Sequence, residues 1–312
     1  ALKSGRRVGL EVGGACSMEE CWEMVHVSEE TGIPLMLLEN CCYGRMELLV
    51  ANMVKQGLFG DIVHCEGGYR HDLRSEIAFG KENRHYRLRN YSHRNCENYP
   101  THELGPIAKI LNINRGNRFL SLVSVASKSR GMNEYAKQHE NVNPALQTAS
   151  FAQGDVVTTI IKCAHGETIT LTLDTTLPRA YSRGFTVQGT KGMYMEDNRS
   201  IFLDSDHGGA DHWDWSPEWN NQVKYLEKYS HPTWVDYHKN GIRGGHGGMD
   251  GLVFDAFIEC IRLGRPCPID VYDAVAWMAV TPLSEESIAK GGAPVAFPDF
   301  TSGAWCTRKN ED

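Results

Sequence analysis

Leu35-Met36-Leu37-Leu38-Glu39-Asn40 reads as a short strand buried on both faces and closed by two polar residues. Upstream of it, Gly32-Ile33-Pro34 stops a helix that Ser17 opens, with Glu20 as the capping-box partner three residues on. Before that, Arg7 to Val12 is another short buried strand, ending in Gly13-Gly14. Downstream, Met46 to Gly57 reads as a helix and Asp61 to Tyr69 as a third strand. The order β-α-β-α-β with short loops predicts a parallel sheet with right-handed crossovers. Ligands bind beyond the carboxyl ends of such strands. Those ends carry Glu11-Val12, Glu39-Asn40 and Tyr69 to Asp72, three polar clusters on one edge.

The rest of the chain reads differently. Residues 73–98 are polar without a clear period and predict a loop over that edge. Phe119 to Ser127, Val156 to Lys162, Glu167 to Leu173, Gly184 to Gly189, Gly192 to Glu196 and Ile201 to Leu203 alternate as strands separated by tight turns. Helices are expected at Glu218 to Lys228, at Leu252 to Leu263 after the glycine-rich Gly244 to Gly251, and at Val271 to Ala289 with a kink at Pro282. The fold class is thus α/β, a partial Rossmann-like parallel sheet followed by an α+β domain with a mostly antiparallel sheet. The expected boundary gives residues 1–72 to the C-terminal part of a dinucleotide-binding domain and 73–312 to a substrate-binding domain. The usual Gly-x-Gly-x-x-Gly after a first strand is missing, so the chain is expected to begin after that fingerprint.

At 312 residues, 41% hydrophobic and 23% charged, the composition is that of an ordinary globular protein. A net charge of −7 and the lack of a basic run argue against nucleic acid. No run of about 18 apolar residues is present to span a membrane. The ten cysteines are scattered without Cys-x-x-Cys, which argues against zinc and predicts buried thiols; no metal is expected. Asp206-His207 and Asp211-His212 are loop pairs more typical of aromatic-rich segments than of metal sites. Cys41-Cys42 read as packed thiols, and Tyr272 and Trp277 as core.

Asn98-Tyr99-Pro100-Thr101-His102-Glu103-Leu104-Gly105-Pro106 supplies the chemistry. Thr101 is a fitting N-cap for a helix from His102 to Leu111, which places His102 in a first turn where unpaired N–H groups and the macrodipole disfavour positive charge. Tyr99 would project its phenol toward the same side. Glu39 reads equally as a catalytic carboxylate or a helix cap, and His246 as a site residue or a helix-entry residue.

Seven blocks, in order, resemble glycoside hydrolase family 109, the NAD-dependent α-N-acetylgalactosaminidases within the Gfo/Idh/MocA superfamily. They are Leu10-Glu11-Val12, Glu39 to Arg45, Gly67 to Arg74, Tyr99-Pro100-Thr101-His102, Asn112 to Gly116, Gly245 to Asp250 and Asp270 to Ala274. The resemblance implies NAD as cofactor, its nicotinamide end touched by Glu11, Val12 and Asn40. It implies a sugar site made by Tyr69, Arg87, Tyr99, Pro100, Thr101, His102 and Tyr181, with His102, Tyr99 and Tyr181 as candidates for proton transfer. It also hints at an exported or periplasmic protein, a glycan substrate ending in an amino sugar, and a homo-oligomer formed through the open sheet. Superfamily dehydrogenases usually carry Lys after the strand-end Glu, where Val12 and Gly13 stand, which favours a redox-neutral cycle. Three further readings stand beside it: a superfamily dehydrogenase or epimerase, a hydrolase using two carboxylates among Glu11, Glu39 and Asp72, and an inactive sugar-binding or oligomerising remnant.

Overall fold

The computed structural model describes residues 1–207 and 213–309. Strand β1 (Val8–Leu10), helix α1 (Met18–Thr31), strand β2 (Leu35–Leu37) and helix α2 (Arg45–Lys55) open the chain. Ser17 and Glu20 form the expected capping box at α1. β1 and β2 pair in parallel, Val8 opposite Leu35 and Leu10 opposite Leu37. β2 is buried throughout, whereas β1 is only partly covered, because β2 is its one partner strand among the described residues.

Strand β3 (Ile62–Arg70) departs from the expected third position. It joins an eight-stranded sheet, pairing in parallel with β6 (Thr168–Asp174) and antiparallel with β7 (Thr186–Gly189). A local pattern identifies a strand but not which neighbour, here about a hundred residues away, will pair with it. The remaining strands are β4 (Phe119–Ala126), β5 (Val156–Cys163), β8 (Gly192–Met195), β9 (Ser200–Leu203) and β10 (Val295–Ala296), in the spatial order β10-β4-β5-β6-β3-β7-β8-β9. Apart from β3 with β6, every pairing in this sheet is antiparallel.

Residues 73–98 are not a loop: they hold helices α3 (Arg74–Ala78) and α4 (Tyr86–His93), short and polar, stabilised by docking through Ile77 and Tyr91 rather than by periodicity. Helix α5 (Thr101–Ile110) follows, then α6 (Gly131–Gln138), α7 (Asp204–His207), α8 (Val223–Tyr229), α9 (Pro232–Asn240), α10 (Met249–Leu263), α11 (Val271–Met278) and α12 (Val280–Ala289). The expected kink at Pro282 is a full break at Ala279, since proline removes the bond to the carbonyl four residues back.

One face of the large sheet is buried through Leu122, Val157, Ile161, Ile169, Leu171 and Leu173. α5 packs on it across β3, where a Cβ at Gly67 would stand 2.7 Å from Glu103 Cβ. α12 crosses β4, with Ser287 Oγ accepting the Ser124 N–H at 2.8 Å. The opposite face leaves Val125 and Ile160 exposed. The core runs without interruption from Leu37 and Met53 to Trp277, so the small parallel pair and the large sheet share it. Eight of the ten cysteines are buried, all but Cys16 and Cys306. No helix among the described residues is long and apolar enough to cross a membrane.

Candidate active site

The carboxyl end of β2 and the amino end of α5 meet at Glu39 and His102. Glu39 is fully buried, and its Oε1 accepts the Cys41 N–H at 3.1 Å, capping a 3₁₀ turn at Asn40–Tyr43. The same oxygen lies 2.7 Å from His102 Nδ1. The two readings open for Glu39 are therefore both realised: it caps and it holds the histidine.

Burial alone would push the Glu39 carboxyl up. The His102 ring beside it, by its charge whenever it is protonated and by its hydrogen bond, together with the Cys41 N–H, holds it below the ordinary carboxylate value instead. An ionised carboxylate only accepts hydrogen bonds, so Nδ1 carries the proton and Nε2 is left to face outward. Nε2 stands 3.5 Å from the Tyr99 hydroxyl, which confirms the direction expected for that phenol. Thr101 is the first residue of α5 rather than its expected cap. The helix begins at Thr101, and Pro100 occupies the cap position, its carbonyl accepting the Leu104 N–H at 3.1 Å.

An aromatic wall surrounds the histidine. The rings of Tyr69 and Tyr99 are 4.5 Å apart, Tyr99 and His102 4.9 Å, and Tyr69 and His102 5.7 Å. The Arg87 guanidinium stands 5.1 Å from the Tyr99 ring and 5.9 Å from Tyr69. It is also bound by Glu76 and by His85 Nε2, while its buried Nε has no partner among the described residues. His71 extends the wall, with Nδ1 3.4 Å from the Tyr69 hydroxyl and its ring 5.0 Å from Tyr181, itself 53% exposed. Burial pushes the Tyr69 phenol up to about 12, and the phenols of Tyr99 and Tyr181 up as well. All three keep their protons at neutral pH. They can donate, and the free imidazole nitrogen is the group able to accept.

Two acids that sequence reasoning passed over flank this arrangement. Glu97 accepts the Tyr99 N–H at 3.3 Å, and burial pushes its carboxyl up to about 8. Glu103 is pushed well above the ordinary range, by burial and then by Glu97. Both are neutral near pH 7, which leaves Glu39 as the buried negative charge beside the imidazole. Nothing in the residue pattern marked these acids, because a buried glutamate and a surface one look alike in sequence, whether ahead of a helix as Glu97 is or in its first turn as Glu103 is.

Glu11 and Val12 stand just past β1 and Asn40 just past β2, on the edge expected of them. Glu11 is exposed and takes the Val12 N–H at 3.2 Å. Asn40 Nδ2 donates to Asp250 Oδ1 at 2.7 Å, and Asp250 takes His246 Nδ1 at 2.9 Å. His246 thus acts through Asp250 on Asn40. Gly13 has φ +82° with nothing within 4 Å of where a Cβ would stand, so the backbone here is open to close approach. A carboxylate, an amide and a bare glycine turn at the carboxyl edge of two parallel strands fit the amide end of a nicotinamide ring.

Glu39, Cys41 and His102 bring ligand atoms within 4.8 Å of one another. Those atoms are already engaged: Cys41 Sγ takes a hydrogen bond from Arg183 Nη1 at 2.8 Å, and burial pushes its thiol well up, so no metal is assigned. Asp206 accepts the Tyr225 hydroxyl at 2.9 Å, and Asp211-His212 lie outside the described residues. Trp277 is core, as expected, while Tyr272 is half-buried and donates to Glu29 at 2.8 Å. Asp72 is held at two points by Arg74, at 2.9 and 2.7 Å, which weakens a mechanism using two free carboxylates.

Solved structures share this fold at low identity. An NAD binding oxidoreductase from Klebsiella pneumoniae superposes with TM-score 0.66 at 13% identity, covering 96% of this chain and 75% of that one. An inositol dehydrogenase homolog from Azotobacter vinelandii, complexed with NADH and myo-inositol, gives TM-score 0.61 at 12% identity, over 95% and 73%. The fold is the one these oxidoreductases share. Sequence is more specific. Residues 43–307 match the family model for the glycosyl hydrolase 109 C-terminal domain. The chain is 44% identical to a glycosyl hydrolase family 109 protein of Parabacteroides distasonis, over 99% of this chain and 69% of that one. It is 43% identical, with the same coverages, to an alpha-N-acetylgalactosaminidase of Tannerella forsythia. The chain belongs to glycosyl hydrolase family 109.

Proposed function

We propose that this protein hydrolyses terminal α-linked N-acetylgalactosamine in an NAD-dependent, redox-neutral cycle. The observation that carries the reading is the Glu39–His102–Tyr99 arrangement in a chain of this family: one imidazole nitrogen fixed by a buried carboxylate, the other free beside a phenol that keeps its proton. Glu11, Val12 and Asn40 would hold the nicotinamide end of NAD at the carboxyl edge of β1 and β2. Bound there, the cofactor supplies reversible hydride removal at C3 of the sugar, which acidifies the proton on C2.

The protein's own groups do the rest. His102 Nε2 takes the C2 proton while Glu39 stabilises the imidazolium that forms. Tyr99 donates a hydrogen bond at the sugar oxygen where charge develops, without adding a fixed charge of its own. Tyr69 and Tyr181 offer apolar ring faces and hydroxyl donors to the sugar. The free Nε of Arg87 suits the acetamide oxygen. Once the aglycone has left C1 and water has added, the imidazolium, its Nε2 proton exchanged with solvent in the meantime, protonates C2. Of the three proton carriers named by sequence, His102 is the base and the two tyrosines are donors. The open sheet face bearing Val125 and Ile160 is the surface through which two copies would pair.

A chromophoric α-N-acetylgalactosaminide, assayed with and without NAD, tests the activity. Release that depends on catalytic NAD, with no net reduced cofactor, supports it. Net reduction would favour the dehydrogenase reading, and no release from folded protein in either condition removes the glycosidase reading.

A further inference from the structure

A cavity of about 410 Å³ opens beside the candidate active site, and Arg45, Arg183 and Arg199 lie in its wall. We propose that it is a subsite for an anionic sugar attached to the departing side of the substrate, whose carboxylate or sulfate is held by Arg45 and Arg199. The proposal rests on the glycosidase reading for its position in the substrate, but not for its charge selectivity.

The cavity adjoins the proton-transfer groups through two covalent neighbours. Arg183 follows Tyr181 by two residues and donates to Cys41 Sγ at 2.8 Å, and Cys41 follows Glu39 by two. On another side His246, also in the wall, reaches Asn40 through Asp250. The proposal seats the sugar with its anomeric carbon near His102 and its aglycone in this adjoining space.

The charges in the wall are unbalanced. Glu47 is buried and paired with Arg183. Glu196 puts Oε2 on the Phe185 N–H at 2.9 Å, and against these two acids the wall carries three arginines. Arg45 and Arg199 make no ion pair or hydrogen bond through their guanidinium groups among the described residues, and Arg183 Nε is buried without a partner. Two uncommitted forks thus border one concave space. Trp234 and Met249 give the cavity an apolar side suited to the carbon face of a sugar ring. Guanidinium forks bind planar carboxylate and sulfate oxygens in pairs, which a neutral hydroxyl cannot match.

The test is calorimetric titration of the full chain, without NAD so that no turnover intervenes. Three disaccharides with non-reducing α-N-acetylgalactosamine are compared: one ending in galactose, one in galacturonate and one in galactose 6-sulfate. Either acid should bind roughly tenfold more tightly than the neutral disaccharide at low salt, and which acid does so identifies the source of the charge. The advantage should vanish in Arg45→Gln/Arg199→Gln, with affinity for the neutral disaccharide unchanged and the fold intact by circular dichroism. Equal affinities for all three, no binding of any, or an advantage that survives the double substitution would overturn the proposal. Should the double variant not fold, the single substitutions Arg45→Gln and Arg199→Gln give the same reading. Failure of the chromophoric assay alone would remove the glycosidase reading and leave a charge-dependent difference in binding standing.

Discussion

At the residue scale the account turns on one imidazole between a carboxylate and a phenol. His102→Ala should lower kcat by about 10²–10⁴-fold with a smaller change in KM, as expected for loss of a general base. Tyr99→Phe should cost less, since a donor rather than the base is lost. The flanking acids predict opposite pH behaviour. Glu39 is held below its ordinary value, so the stability it contributes is present above the unfolded carboxyl pKa and is lost only as pH falls through the lower folded value. Glu97 is raised to about 8 from 4.5, so the folded protein keeps a proton that the unfolded chain releases, and stability falls as pH rises between those values. Glu97→Gln should flatten that decline, measured as melting temperature at pH 6 against pH 8; an unchanged slope would show Glu97 to be ionised already. The sequence placed Tyr99 and His102 on one side of a turn and left Glu39 undecided. Glu39 lies 63 residues from its partner, and no local pattern reports a contact of that span.

At the element scale, α5 must lie close against the turn after β2 for Glu39 to reach His102. Gly105 allows this: a Cβ there would stand 2.9 Å from Cys42 Sγ and 3.0 Å from the Trp277 ring. Gly105→Ala should destabilise the protein by about 1–3 kcal/mol through overpacking, and lower activity beyond the stability loss by shifting His102 off Glu39. Denaturant midpoints and turnover of the same preparation check both. The elements that were legible had strong local signals, such as the Ser17 to Glu20 capping box and the alternation of β5 and β6. Among those that were not, which include α6, α9 and β10, helices α3 and α4 have polar sequences whose helicity comes from packing against the rest of the chain. β3 was legible as a strand but not as a member of the large sheet, because pairing with β6 is fixed by the fold as a whole.

At the scale of the whole molecule, the exposed apolar residues of the large sheet predict self-association. Val125→Lys should shift the mass measured by light scattering toward the monomer while leaving the melting temperature nearly unchanged, since Val125 is 54% exposed. The central claim, that hydrolysis proceeds by proton removal at C2 with His102 as base, has a more direct test. Hydrolysis of an α-N-acetylgalactosaminide by the NAD-loaded protein in D₂O should yield N-acetylgalactosamine carrying deuterium at C2, read by proton NMR, with both release and incorporation suppressed in His102→Ala. Product released at full rate with its C2 proton retained would mean direct displacement at C1 and would contradict the account.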